Sequence, residues 1–229
     1  MQASVIVFPG SNCDRDVKVA LAESVGRDPT MVWHGDSSLP KSDLIVLPGG
    51  FAYGDYLRCG AIAAHSPIMR DVVREAERGT PVLAICNGFQ VAIESGLLPG
   101  ALMSNANLKY ICKDVHLRVE NVHTCFTAGY DEDDVIRIPI AHHDGNYFAD
   151  DDTIAELEDD DRIVFRYSSP DGAVDAGSNP NGSRGNIAGI VNKSRNVLGM
   201  MPHPERLSDP VHGGTDGRAI FDTLAGSLG

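Results

Sequence analysis

The apolar run Val82-Leu83-Ala84-Ile85 stops at Cys86 and is followed at once by Asn87-Gly88-Phe89-Gln90. A strand that ends on a nucleophile and turns directly into a helix presents the side chain at the C-terminal edge of a sheet, where open α/β sheets bind ligands. The helix N-terminus favours thiolate over thiol, and its free N–H groups can face a developing oxyanion. Taken alone, the same pattern also describes a buried cysteine at the start of a core helix. A nucleophilic thiol needs a base and a group to orient that base. Met200-Met201-Pro202-His203-Pro204-Glu205-Arg206 can supply both. The two prolines predict a fixed, non-helical backbone around His203. In an extended stretch His203 and Glu205 point the same way, so Glu205 can hold the imidazole while His203 takes the thiol proton.

A third segment, Leu44-Ile45-Val46-Leu47-Pro48-Gly49-Gly50-Phe51, runs a strand into a Gly-Gly turn. Without Cβ atoms, its amides can approach a substrate closely and form a second wall of an oxyanion hole. It has no Gly-Lys-Ser/Thr and is not a nucleotide-binding P-loop.

These pieces must be held by strands and helices that alternate along the first half of the chain. Strands are expected at Ser4–Phe8, Thr30–Trp33, Leu44–Leu47 and Val82–Ile85, and helices at Asp14–Ser24, Ile62–Arg78 and Phe89–Ser95. That order implies an open, mostly parallel sheet flanked by helices. The second half reads as short strands at Val115–Asn121, Thr124–Phe126, Val135–Ile140, Ile163–Tyr167, Ile187–Asn192 and Val197–Met200, adding antiparallel pairs, before a helix at Ile220–Leu228. The acidic segment Ala149–Arg162 is expected to be a solvated loop with a short helical centre at Thr153–Leu157, and Ser168–Asn186 a series of turns. No linker is long enough to divide the 229 residues, so one domain over 1–229 is expected.

Composition narrows the function classes. The chain carries 23 Asp and 9 Glu against 14 Arg and 5 Lys, a formal charge of −13, which repels phosphate backbones and disfavours nucleic acid. No apolar run reaches membrane-spanning length and no basic leader precedes the first strand, so no membrane contact and a cytoplasmic location are expected. The five cysteines, Cys13, Cys59, Cys86, Cys112 and Cys125, form no C-x-x-C pair, which argues against a disulfide framework or a cysteine zinc site. His142-His143-Asp144 lacks further ligands at a metal-binding spacing, and no metal is expected.

The Pro48-Gly49-Gly50 turn, I-C-N-G-F-Q around Cys86 and M-P-H-P-E-R around His203, in that order, resemble the class I (triad) glutamine amidotransferases. More narrowly, they resemble the family of glutaminase subunits of phosphoribosylformylglycinamidine synthase, the PurQ type. The segments Phe8 to Asp14, Gly49 to Gly60 (GGFAYGDYLRCG) and Gly199 to Arg206 agree with that family, and the resemblance spans nearly the whole chain. It differs at Ala84, where the family elbow carries Gly. The resemblance implies a flavodoxin-like amidotransferase fold and a triad of Cys86, His203 and Glu205. It also implies oxyanion donors at Gly50 or Phe51 and Asn87, a substrate-facing Gln90, and His142 near the cleft. The implied substrate is glutamine. The implied partners are a large synthetase subunit, which takes the ammonia and uses ATP and Mg to amidate formylglycinamide ribonucleotide in purine synthesis, and a small bridging subunit. No cofactor is implied on this chain. Two other readings share the scaffold: a different Cys-His-Glu hydrolase, and a non-catalytic regulatory subunit. The G-G-F-A-Y-G-D loop and H-P-E argue against the first, and the intact Cys86, His203 and Glu205 against the second.

The Asp-rich, Lys-poor composition also fits a high-salt cytoplasm, where screening removes self-repulsion. Thermal stability should therefore rise strongly between low and molar KCl. A Tm indifferent to salt would remove that reading.

Overall fold

The computed structural model describes residues 1–55 and 58–229. Tyr56 and Leu57 of the G-G-F-A-Y-G-D-Y-L-R motif lie outside the described residues. In chain order the elements are β1 (Ala3–Val7), α1 (Asp14–Val25), β2 (Thr30–Trp33), β3 (Leu44–Leu47), α2 (Ala61–Ala64), α3 (Met69–Glu77), β4 (Val82–Ile85) and α4 (Asn87–Glu94). They continue with β5 (Ala101–Met103), β6 (Ile111–Val119), β7 (Val135–His142), β8 (Asn146–Phe148), α5 (Asp151–Asp159), β9 (Ile163–Ser168), β10 (Ile187–Val191), β11 (Val197–Met200) and α6 (Arg218–Leu228).

Nine of these strands form one sheet in the order β2-β1-β3-β4-β11-β10-β9-β6-β7, and β5 and β8 form a small separate ribbon. The five strands from β2 to β11 are mutually parallel, and every later pairing is antiparallel. The parallel strands are covered on both faces, which is why β3, β4 and β11 are short runs with every residue buried. The sheet's two halves also touch away from the ladder. His203 N–H, just after β11, donates to Pro139 O on β7 at 2.8 Å, although four strand positions separate β11 from β7. The antiparallel half therefore curls back over the C-terminal edge of the parallel half, a strong form of the usual sheet twist.

Several elements depart from the sequence expectation. The helix expected over Ile62–Arg78 is two helices, α2 and α3, parted at Ser66-Pro67 because proline cannot continue a helix. Thr124–Phe126 is a turn: the Thr124 hydroxyl accepts the Phe126 N–H at 3.2 Å and pairs with Thr127 at 2.6 Å. The acidic segment holds a full helix, α5. Asp150 caps it by accepting from Thr153 N–H at 2.8 Å, and Asp151 and Asp152 sit in its first turn, where the helix dipole favours them. His203 and Glu205 lie not on an extended stretch but at the entry of a 3-10 turn over Pro204–Leu207, with Pro204 in the first position, where its missing N–H costs nothing.

Gly88 fixes how closely α4 approaches the sheet. A Cβ there would lie 1.9 Å from Leu47 O on β3. Gly88→Ala should therefore lower stability by about 3 kcal/mol or more. Gly226→Ala, with open space around an exposed position of α6, should raise it by up to about 1 kcal/mol. Urea unfolding of the two variants checks the contrast, and equal effects would show that the α4 approach is not tight.

Candidate active site

Three parallel strands bring the chemistry together. Leu47 on β3, Ala84 on β4 and Gly199 on β11 are in register, so the three loops that follow leave from one edge. From β3 comes Gly49-Gly50, from β4 comes Cys86 and from β11 comes His203. β1 lies beside β3 and sends Pro9 to Cys13 to the same edge.

Cys86 has φ 51 and ψ −106, a left-handed backbone that costs a non-glycine residue roughly 1–3 kcal/mol. This is the sharp strand-to-helix turn expected of a nucleophile elbow. It forms with Ala84 two residues before the turn, paired with Gly199 on β11 and Leu47 on β3. The Cys86 thiol faces Ala141 O at 3.8 Å. His203 Nδ1 and Glu205 Oε1 are 2.7 Å apart, and both side chains are essentially closed to solvent. Burial disfavours the charged imidazole, but the negative charges of Glu205 and the Cys86 thiolate outweigh it, and the His203 pKa is raised well above its ordinary value. His203 Nε2 has no protein hydrogen-bond partner. That nitrogen is the one free to exchange a proton with the thiol, a contact that commonly tightens only with substrate present. Cys86, His203, Gly50, Phe51, Tyr110 and Arg206 are among the residues lining a cavity of about 70 Å³.

The expected oxyanion donors separate. Phe51 N–H is already given to Gly10 O at 3.0 Å, so its amide is occupied and its ring lines the cavity instead. Gly50 and Asn87 remain. Asn87 is the first residue of α4, so its N–H has no intrahelical acceptor. The Asn87 side chain ties the site together. Its Oδ1 accepts Ala52 N–H at 3.0 Å and its Nδ2 donates to Gln90 Oε1 at 2.7 Å. Gln90 is buried, and its Nε2 donates to Asp144 O at 2.7 Å. Gln90 thus binds α4 to the loop after β7, and both ends of its amide are engaged within the protein.

His142 does not line the cavity. The pleat of β7 turns Ala141 toward Cys86 and His142 to the opposite, buried face. There Asn105 Oδ1 accepts from both His142 Nδ1 at 3.0 Å and Gly145 N–H at 3.2 Å, which sets the imidazole tautomer. Burial pushes the His142 pKa down to about 4. Cys59 sits between acidic neighbours, its thiol 3.4 Å from Asp144 Oδ2, and burial together with Asp55 and Asp144 raises its pKa strongly, which makes it an unreactive thiol. The residues that sequence reasoning missed are Cys13, Asn12, Tyr110 and Arg206 of the cavity wall. Only Arg206, adjacent to Glu205, carried a local signal. A larger cavity, about 780 Å³ beside Arg118, Arg166 and Asn181, contains none of the triad.

A strained thiol at an elbow beside a buried His–Glu pair is the arrangement of a cysteine amidohydrolase. Comparison with known proteins narrows it. The CobB/CobQ-like glutamine amidotransferase domain matches residues 1–216. Phosphoribosylformylglycinamidine synthase subunit PurQ of Roseobacter denitrificans is 59% identical over 229 residues, covering 100% of this chain and 99% of that protein. The same subunit of Rhodospirillum rubrum is 57% identical over 229 residues, covering 100% of each. The chain belongs to the PurQ family of glutamine amidotransferases. A chain in the structure of PurLQS from Thermotoga maritima, 46% identical to this PurQ-family chain, superposes on it with a TM-score of 0.87, covering 100% of this chain and 99% of that one.

His142 gives this PurQ-family site a pH signature in stability. An unfolded histidine titrates near its ordinary value of 6.5, and the folded one near 4, so the unfolded state binds more protons in between. Stability should fall as pH drops through that window, by about 3 kcal/mol at most from this group. His203, shifted upward, acts only above it. His142→Gln should flatten the slope of ΔG against pH between 6.5 and 4 in urea titrations. An unchanged slope would show that His142 charges freely in the fold.

Proposed function

We propose that the Cys86 site hydrolyses the side-chain amide of glutamine to glutamate and ammonia. The ammonia passes to a synthetase subunit that uses ATP and Mg to convert formylglycinamide ribonucleotide to formylglycinamidine ribonucleotide, in purine (IMP) synthesis. The observation that carries the reading is the buried His203–Glu205 pair, 2.7 Å apart, delivered by β11 beside the Cys86 elbow. The membership in the PurQ family supports the substrate and the synthetase.

The steps follow from the residues. Cys86 thiolate attacks the amide carbon, and the oxyanion takes N–H donors from Gly50 and Asn87. The His203 imidazolium gives its proton to the departing nitrogen, so ammonia leaves and a glutamyl thioester remains. His203, now neutral, takes a proton from water, whose oxygen attacks the thioester and releases glutamate. Glu205 holds the ring so that Nε2 faces the reaction throughout. Ammonia released at an exposed site would be protonated and lost. The chain has no phosphate-binding loop, so ATP and Mg act on the synthetase subunit, and a small third subunit bridges the two. Among the described residues no helix is long and apolar enough to cross a membrane, which agrees with a cytoplasmic complex.

Glutamate release should be slow for the chain alone and strongly stimulated by the synthetase partner. Cys86→Ala should abolish it. Glu205→Gln should lower kcat by about 10²-fold or more with little change in glutamine KM, because it disturbs the imidazole rather than the pocket. Undiminished glutamate release by Cys86→Ala in the complex would overturn the mechanism.

A further inference from the structure

The Glu205 side chain is fully buried, and only one of its oxygens is used: Oε1 meets His203, while Oε2 has no hydrogen-bond partner. A buried carboxylate requires nearby positive charge or hydrogen bonds. The next residue, Arg206, is the available cation, yet its guanidinium is not held by Glu205. Nη2 donates to Cys13 Sγ at 2.9 Å, and Nε lies 3.7 Å from Asp16 Oδ2. Cys13 is 1% exposed and stands at the entry of α1, with its N–H given to Gly49 O at 3.2 Å. Its sulfur, a ring nitrogen of His203 and a carboxylate oxygen of Glu205 all lie within 4.8 Å of one another. A Cβ on Gly49 would lie 2.7 Å from His203 Cε1 and 3.2 Å from Cys13 Sγ, so imidazole and thiol pack on the same bare Cα. Cys13 is therefore the side chain where α1, the glycine turn and the His203–Arg206 segment meet.

We propose that Cys13 is a positioning residue for the His203–Glu205 pair: its sulfur anchors the Arg206 guanidinium beside Glu205 and packs the imidazole against Gly49. The role rests on the reading of this site as a glutaminase. A divalent cation on the same three donors would have to displace both the guanidinium from the sulfur and the proton shared by His203 and Glu205, which disfavours a metal there. The thiol stays protonated, because burial raises its pKa and His203 and Arg206 only partly oppose that. The charged and titratable groups around His203 are Cys86 from the elbow, Glu205 and Arg206 from its own turn, Cys13 and Asp16 from α1, His142 from β7 and Tyr110 just before β6. Arg206 is the permanent cation among them. Held by the sulfur and not by Glu205, it leaves the carboxylate to the imidazole, and Cys13 itself faces the ring and favours its charged form.

The test uses the chain reconstituted with its synthetase partner, and the free chain in a Cys86→Ala background for titration. Cys13→Ala should lower glutamine-dependent kcat by about tenfold with a smaller change in KM, since the contacts it loses are to the imidazole and to Arg206. In the Cys86→Ala background, the His203 ring resonances, assigned by their loss in His203→Gln, should titrate about one pH unit lower when Cys13 is Ala, because the contact that favours the charged ring is lost and the freed guanidinium can reach Glu205. Cys13→Ser keeps an acceptor for the guanidinium and should recover most of both effects. Synthesis from added ammonia, which bypasses this site, should be unaffected. Wild-type kcat and an unmoved His203 titration in Cys13→Ala would overturn the proposal, as would an equal loss of ammonia-dependent synthesis. Wild-type complex that releases no glutamate from glutamine would defeat the glutaminase reading instead, and the His203 titration, which needs no turnover, would still decide the role of Cys13.

Discussion

The approach of α4 to the carbonyl of Leu47 is the constraint on which the rest of the site depends. With no Cβ at Gly88, the helix begins against β3, and the chain has only Cys86 in which to turn from strand to helix. That residue takes a left-handed backbone, which lifts its sulfur off the sheet edge and leaves Asn87 N–H at the helix start without a partner. The strain is sustained by what surrounds it: Cys86 N–H donates to Met200 O at 2.7 Å, so the elbow is stitched to β11 just before that strand delivers His203. The proposed nucleophile and base are thus placed by adjacent strands rather than by flexible loops, and the error in their relative position is that of a β-ladder.

Much of this was legible in the sequence because it is local. β3, β4 and β11 are fully buried, and full burial writes itself as an unbroken apolar run with Gly or Pro punctuation. A helix start after Cys86 and a stiff segment around His203 are likewise short-range statements. What escaped depends on distant partners. Whether Phe51 or Gly50 offers its amide turns on Gly10 O, forty-one residues upstream in the chain, and no pattern near Phe51 carries that information. The contact between Cys13 and Arg206 spans 193 positions. The resemblance puts His142 near the cleft, but one residue decides which face of a strand a side chain takes, and Ala141 is the one that lines the cavity. The turn at Thr124–Phe126 and the full length of the helix at Asp151–Asp159 are obscured for a different reason. β-branched and aromatic content imitates a strand where a threonine hydroxyl caps a turn, and acidic residues hide a helix whose first turn they stabilise.

The electrostatics follow from the same packing. Closing His203 and Glu205 off from solvent strengthens their interaction, and the carboxylate dominates the ring, so the imidazolium is the favoured form. In the proposed mechanism, a base that stayed protonated would serve the first proton transfer, to the leaving nitrogen, and hinder the second, from water. The site needs both within one turnover. The neighbouring permanent cation is bonded to a sulfur and lies beside Asp16 rather than the carboxylate, and so does not draw Glu205 away from the ring.

The antiparallel half of the sheet has a role that its position in the strand order conceals. β7 is the last strand, at the far edge from β2, yet its Pro139 O accepts His203 N–H and its Ala141 O faces the Cys86 thiol. A flat sheet would hold those groups several strand widths, about 4.8 Å each, from β11. Curling brings β7 across the end of β11, so that the wall opposite the glycine turn is built from the chain's second half. The loop that follows β7 is then fastened back to the elbow by Gln90, through Asp144 O and Asn87. The catalytic edge is therefore enclosed between two halves of one sheet, joined by the same α4 residues that hold the nucleophile. The β7 loop is thus tied through two hydrogen bonds of 2.7 Å to the Asn87 side chain, the residue next to Cys86.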